Sequence, residues 1–226
     1  MPNINTQTLN GIPNISELAM TQPEGSLRCG AYALIGAIGA FGKFPNNLNI
    51  TYADNGPEEV NNQSTFNQDM DYIHLAETVY TVTGILNVPT AVPELISAGN
   101  MYNSLAAMAQ VAINLGMQIP TINVLSTAYD TLRHYYPNEE NRCVGVVGGG
   151  NVITNVATYA APQENQTHVV CVSNADGSLH WIAQGSDGNF YDSANGSVDN
   201  QWNPVNYGDA IGDYLFAGLW IVISED

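Results

Sequence analysis

Cys29 lies where a reactive thiol is easily formed. It follows a loop-like segment, residues 25–28, and opens an apolar run, residues 29–41, that is rich in Gly, Ala, Ile and Leu and predicts a buried central helix. The positive end of a helix macrodipole favours the thiolate form of a cysteine placed there, and a thiolate attacks carbonyl carbons. A small residue that simply faces the core explains the same position, and both interpretations stay open at this point.

A thiolate nucleophile needs a base, and the base needs a group that orients it. Of the four histidines, His74 and His134 fall in predicted helices, and capping accounts for His134 near a helix end. His168 and His180 fall on two predicted neighbouring strands. His180 opens the segment HWIAQGSDGNFYDSANG, residues 180–196, which predicts a β-hairpin and makes this histidine the first candidate for the base.

The turn of this hairpin decides which side chain can orient His180. A three-residue loop pairs Gly185 with Asn189. Asp192 then lies one diagonal step from His180, at a Cβ separation of about 7–8 Å, within reach of an imidazole–carboxylate hydrogen bond. A two-residue turn instead places Asn195 opposite His180. Asp192 is therefore the first candidate for the orienting group, and Asn195 is the second.

The order of the elements places these groups in two parts of one domain. Helical patterns come first, and short runs rich in Val, Ile and aromatic residues come later, which predicts an α+β fold with an antiparallel sheet. We expect a single domain over residues 1–226, with a helical half at about 25–140 and a sheet half at about 141–226. The helix that begins at Cys29 would pack on the sheet, and a cleft between the halves would hold the site.

Several finer expectations follow from the local patterns. An extended arm is expected at residues 1–24, a polar loop at 43–63, and helices at 64–83, 103–117 and 125–136. Cys143 and Cys171 are predicted to be small apolar residues in buried strands. Because three cysteines cannot all pair, the chain is not a disulfide scaffold.

The charge of the chain limits its partners. The net charge is −17, with only four basic residues, so the chain repels phosphate backbones and anionic lipids. We therefore expect neither nucleic acid nor a membrane as a partner. No cluster of His, Cys and acidic residues has the spacing of metal ligands, and the glycine loop VVGGGN lacks the features of a phosphate-binding loop, so we expect neither a metal nor a cofactor.

Three patches of the sequence resemble the papain-like cysteine peptidases, especially the bacterial bacteriocin-leader peptidase-like and injected-effector branches. The patches are Gln22 with Gly25, the run CGAYAL from Cys29, and a later His-Trp with Tyr-Asp-Ser-X-X-Gly, in the order Cys, His, Asp of that superfamily. Gln22 stands seven positions before Cys29, one more than is usual in papain, and Pro23 intervenes. The twelve-residue interval from the His-Trp histidine to the aspartate is shorter than in most relatives, as suits a tight hairpin.

The resemblance implies a papain-like fold and a role for each matching residue. Cys29 would be the nucleophile, His180 the base, and Asp192 the group that fixes the imidazole tautomer. Gln22 would donate to the oxyanion together with the backbone N–H of Cys29. His168, in THVVCV, also resembles a papain-type catalytic histidine strand and is the alternate base.

The implied activity is a cysteine-dependent hydrolase that cleaves a peptide or isopeptide bond through a thioester, with a protein or peptide as its partner. A deamidase, transglutaminase or acyltransferase on the same fold is the first alternative, and a non-catalytic interaction protein is the second. The first residues show no Sec signal, so we expect the chain to be cytoplasmic or exported by a dedicated secretion system, a host cell being one destination.

Overall fold

A computed structural model of the chain describes residues 20–42, 44, 47–56, 59–67, 70–87, 101–199 and 204–225. The predicted extended arm lies outside the described residues as far as residue 19. The helices of the described part are α1 Cys29–Gly39, α2 Tyr72–Thr83, α3 Leu105–Asn114, α4 Tyr129–Tyr135 and α5 Glu139–Val147, followed by a 3-10 turn at Gly149–Asn151. None of these helices is both long and apolar enough to cross a bilayer.

The strands form one large sheet and two small hairpins. They are β1 Leu48–Asp54, β2 Val60–Phe66, β3 Gly84–Leu86, β4 Tyr102–Asn103, β5 Thr121–Leu125, β6 Val152–Val156, β7 Gln166–Ser173, β8 Leu179–Gly185, β9 Phe190–Asp192, β10 Ser197–Asp199, β11 Ala210–Ile211 and β12 Tyr214–Ser224. The large sheet has the order β10-β9-β8-β7-β12-β5-β6, with β11 paired to β12. Helices and a sheet thus share the chain, as an α+β fold requires.

The expectation of a wholly antiparallel sheet is wrong at one pair. Strands β5 and β6 run parallel, whereas the other neighbouring strands of the large sheet are antiparallel. The chain passes from β5 to β6 through α4 and α5, and such a crossover is what brings two strands into the same direction.

Helix α1 is the centre of the fold, as its sequence predicts. Its residues from Cys29 to Ile38 are all buried, because they are small or apolar on every side. The helix packs on β7 and β8 on one side and on α2 and α3 on the other. The hydroxyl of Thr167 donates to the carbonyl of Ala37 at 3.1 Å and ties the helix to β7.

The predicted loop at 43–63 is wrong, because most of it forms the hairpin of β1 and β2. Ile50 and Tyr52 are buried two residues apart, the period of a strand, and the surrounding asparagines hide this pattern. The helix predicted over 64–83 begins only at Tyr72, where Asp71 caps it by accepting from the His74 N–H. The helix predicted over 103–117 is confirmed as α3.

The two structural cysteines differ. Cys171 lies in the buried strand β7, as predicted. The strand predicted around Cys143 is wrong, because this residue lies in α5, where Glu139, Cys143 and Val147 recur every four residues and form its buried face.

Candidate active site

The fold brings Cys29, His180 and Asp192 together from three separate elements. Cys29 is the first residue of α1, His180 lies near the start of β8, and Asp192 ends β9. The side chain of Cys29 lies close enough to His180 to raise the pKa of its ring. His180 Nε2 lies 2.8 Å from Asp192 Oδ1, which leaves Nδ1 as the ring nitrogen available to the sulfur. A continuous chain therefore runs from thiol to imidazole to carboxylate.

The hairpin between β8 and β9 fixes this arrangement. Its backbone pairs Gly185 with Asn189 at 3.0 Å, and Gly188 takes the left-handed conformation at φ +82. This is the register that the three-residue loop predicts. It brings the Asp192 carboxylate to the His180 ring, and the alternative two-residue turn does not occur.

Hydrogen bonding decides the charge state of the pair. Burial disfavours a charged imidazole, but the bonds from Asp192 and Cys29 outweigh it and raise the pKa of His180 to about 9. Burial also disfavours a charged Asp192, but its hydrogen bonds with His180, the Ala194 N–H and Tyr214 hold the pKa of this carboxyl below its usual range. An imidazolium facing a carboxylate is therefore the favoured state of the pair at neutral pH.

Asp192 has a second neighbour that the sequence did not reveal. The hydroxyl of Tyr214 donates to Asp192 Oδ2 at 2.9 Å, and its ring stacks on His180 with centroids 5.3 Å apart and planes at 21°. Tyr214 opens β12, in the segment Gly-Asp-Tyr-Leu-Phe, where nothing distinguishes it from any tyrosine at the start of a strand. No local signal could have found it.

Gln22 lies next to the site and is tied to Ser193, the residue after Asp192. The Gln22 N–H donates to the Ser193 carbonyl at 2.9 Å, and the Ser193 hydroxyl donates to Gln22 Oε1 at 2.9 Å. Gln22 Nε2 donates to the Ser26 carbonyl at 3.3 Å. An amide nitrogen carries two hydrogens, so a second one is available for a ligand.

Neither alternate residue takes the place predicted for it, because the base beside Cys29 is His180 and the group bonded to His180 Nε2 is Asp192. His168 pairs with Gln184 four residues along the sheet from the His180 pair, and it is buried against Tyr159, whose hydroxyl lies 2.8 Å from its Nδ1. Burial lowers the pKa of His168 to about 3, so it is a neutral core residue. Asn195 lies exposed in the turn after β9.

The loop before Cys29 is anchored by residues from β4 and α2. Asn103 donates through Nδ2 to the Leu27 carbonyl at 2.9 Å. Arg28 pairs with Glu77 at 2.6 Å and lies over the ring of Tyr80. These contacts fix the backbone immediately before the start of α1. Sequence reasoning missed Asn103 and Glu77, because each comes from an element distant in the chain.

An apolar cavity opens beside these residues. Its wall includes Asn103, which holds the loop before Cys29, and Trp181, which follows His180 on β8. Aliphatic side chains make up much of the remaining wall, among them Leu86, Leu105, Ile122, Val124, Leu132 and Leu219. Cys29, His180 and Asp192 are not among the residues of its wall, and Asn103 is the residue that links the cavity to the loop before Cys29.

The cluster brings a thiol, an imidazole and a carboxylate together. Within the ranges that the structure describes, no group of three or more His, Cys, Asp or Glu side chains is arranged to hold a metal ion. A thiol beside an imidazole that is itself oriented by a carboxylate is the arrangement of a covalent nucleophile.

Comparison with known proteins agrees with this chemistry. A family model described as "Invasion plasmid antigen J, cysteine protease" matches residues 21–226. No curated protein and no solved structure matches the chain. The family match confirms the resemblance to papain-like cysteine peptidases and makes the protein a cysteine protease. The chain belongs to the invasion plasmid antigen J family of cysteine proteases.

Proposed function

We propose that Cys29, His180 and Asp192 are the catalytic triad of this protease and that it cleaves an amide bond through a thioester. One observation carries the proposal: the Cys29 side chain lies beside His180, whose ring is hydrogen-bonded to Asp192 at 2.8 Å. A cysteine near the start of the chain meets a histidine and an aspartate of a distant hairpin in the order that acyl transfer by a thiol requires.

In the proposed resting site the thiol proton already lies on His180, so the thiolate of Cys29 faces an imidazolium. The thiolate of Cys29 attacks the carbonyl carbon, and the imidazolium then donates its proton to the departing amine as the carbon–nitrogen bond breaks. Water attacks the resulting thioester, His180 accepts a proton from that water, and the Cys29 thiolate leaves as the acid product forms, which restores the thiolate and the imidazolium. The raised pKa of His180 keeps the imidazolium available for the amine.

Gln22 is the proposed side-chain donor to the oxyanion, and the backbone N–H of Cys29 is the second donor. The tie between Gln22 and Ser193 supports this role, because it holds the amide beside the hairpin that carries Asp192. Two fixed donors stabilise the charge that develops on the carbonyl oxygen.

The wider arrangement supports a papain-like single domain. A buried helix begins at Cys29 and packs on β7 and β8, and the sheet carries His180 and Asp192. The proposed substrate is a protein or peptide, and the apolar cavity beside the site would take an apolar part of it. Hydrolysis is proposed over transfer to another acceptor, because the matched family is one of proteases.

The test measures cleavage of a proteome-derived peptide library by mass spectrometry of new peptide termini. We expect Cys29→Ala and His180→Ala each to lower cleavage at least about 10³-fold while circular dichroism stays unchanged. His74→Ala serves as the matched control, because this histidine is exposed on α2. Full activity of either triad variant on the same peptides would refute the triad.

A further inference from the structure

Tyr214 reaches the proposed triad from a strand that carries none of its members. It is the first residue of β12 and follows a tight turn in which Gly212 takes φ +55. Ile211 pairs with Tyr214 across this turn, and from Leu215 onward β12 pairs with β7, which places the tyrosine beside the triad. The side chain is half-buried.

The two contacts of Tyr214 fall on two different members of the triad. Its hydroxyl donates to Asp192 Oδ2, while His180 Nε2 and the Ala194 N–H share Asp192 Oδ1. Both carboxylate oxygens are therefore bound, and the carboxylate cannot rotate without losing at least one hydrogen bond. The ring lies nearly parallel to the His180 imidazole and limits its tilt.

The side chain of Tyr214, which touches both residues of this hydrogen bond, is half-buried, whereas the side chains of His180 and Asp192 are only 8% and 11% exposed. The aromatic ring is thus at the boundary between the buried pair and water. An imidazolium–carboxylate hydrogen bond is stronger when water is kept away from it.

Simple packing does not account for these contacts. A tyrosine that only filled space would place its hydroxyl in water, which is within reach of a half-buried side chain, rather than on the one carboxylate that binds His180. Its hydroxyl makes a charge-assisted bond at 2.9 Å, a class worth more than a neutral one.

We propose that Tyr214 is a positioning residue for the triad: its hydroxyl locks the Asp192 carboxylate and its ring holds the His180 imidazole in plane and shields their hydrogen bond from water. This inference rests on the proposed function of Cys29, His180 and Asp192. It assigns Tyr214 no contact with substrate, so its effect falls on kcat rather than on KM.

Two substitutions separate the two contacts. Tyr214→Phe keeps the ring over His180 and removes the hydroxyl, and we expect kcat to fall about tenfold with KM unchanged, since a bond to a charged group is lost. Tyr214→Leu removes the stacking as well and admits water, and we expect a fall of about 100-fold or more.

The titration of His180 provides a readout that does not depend on turnover. The groups that face this ring are the thiol of Cys29 from α1, Asp192 from β9 and Tyr214 from β12, with Asp213 next along the chain. Tyr214→Phe removes a hydrogen bond that stabilises the negative charge of Asp192, so the carboxylate attracts the imidazolium more strongly and the pKa of His180 should rise. Tyr214→Leu lets water screen the pair and should lower it. NMR of the histidine ring protons measures both shifts in a Cys29→Ala background.

Tyr207→Phe is the matched control, because this tyrosine is 46% exposed and also precedes β12; it should leave kcat and the titration unchanged. Wild-type kcat together with a wild-type titration in Tyr214→Phe would overturn the inference, whether or not Tyr214→Leu folds. Activity of Cys29→Ala would instead overturn the triad, so the two failures are distinguishable.

Discussion

Asp192 connects three strands at the scale of single side chains. It accepts from His180 on β8, from the Ala194 N–H after β9, and from Tyr214 on β12. Each of these bonds stabilises the charged carboxylate, and the charge in turn stabilises the imidazolium of His180. The charge on one buried residue thus sets the proton affinity of its neighbour.

Asp192→Asn should remove the negative charge of this residue and leave the geometry of the site nearly unchanged. The amide is nearly isosteric but neutral, so we expect the pKa of His180 to fall from about 9 toward its ordinary value. The alkaline limb of the kcat/KM profile should move to lower pH, and its maximum should drop at least about 100-fold. Asp187→Asn, in the turn of the same hairpin, is the control and should match wild type. An unchanged alkaline limb in Asp192→Asn would contradict this role.

At the scale of elements, the start of α1 depends on a close approach between backbone and side chains. A Cβ on Gly30 would lie 2.7 Å from the Cβ and Cγ of Asn103 and 2.9 Å from the sulfur of Met108. Asn103 also holds the Leu27 carbonyl, so the same residue sets both the loop and the first turn of the helix. Displacing it would move Cys29.

Gly30→Ala should therefore lower stability and activity together. We expect the free energy of unfolding to fall by about 1–3 kcal/mol through overpacking, with a loss of kcat because the thiol shifts relative to His180. Gly145→Ala is the opposite case, because it lies inside α5 with no atom within 4 Å of a new Cβ, and it should stabilise by about 0.5–1 kcal/mol. Urea denaturation checks both values, and equal stability of the two variants would refute the argument.

The sequence predicts those parts of the site whose geometry is local. The register of His180 with Asp192 follows from a turn within thirteen residues, and the burial of α1 follows from its composition. Tyr214 could not be predicted, because its place depends on β12 pairing with strands distant in the chain. The parallel pairing of β5 with β6 was not predicted for the same reason. The hairpin of β1 and β2 was predicted as a loop, because its asparagines are residues that favour loops.

At the scale of the whole molecule, two buried histidines affect stability in opposite directions. Burial keeps His168 neutral by lowering its pKa to about 3. Between about pH 6.5 and pH 3, the unfolded chain therefore binds a proton at this histidine that the folded chain does not bind. Stability from this residue therefore falls as the pH falls. His180 has a raised pKa, so its contribution is present below about pH 6.5 and is lost as the pH rises through 9.

His168→Gln should flatten the acid side of the stability profile. Glutamine can still bond Tyr159 but takes up no proton, so up to about 1.4 kcal/mol per pH unit of slope should disappear between pH 6.5 and 3. Urea titrations at several pH values measure this slope. His134→Gln, on an exposed residue of α4, should leave the slope unchanged. Equal slopes in His168→Gln and wild type would contradict the prediction.

The placement of β12 has a consequence for how the protein is made. This strand lies between β7 and β5, so the large sheet consists of two separate pieces until residues 214–224 have left the ribosome. Such long-range pairing makes folding slow and late, because the chain loses conformational entropy when distant segments come together, before their contacts stabilise the sheet. Until that strand is in place the chain carries its thiol and imidazole on an unfinished scaffold, so we expect the proposed triad to form only after β12 has joined the two pieces of the sheet.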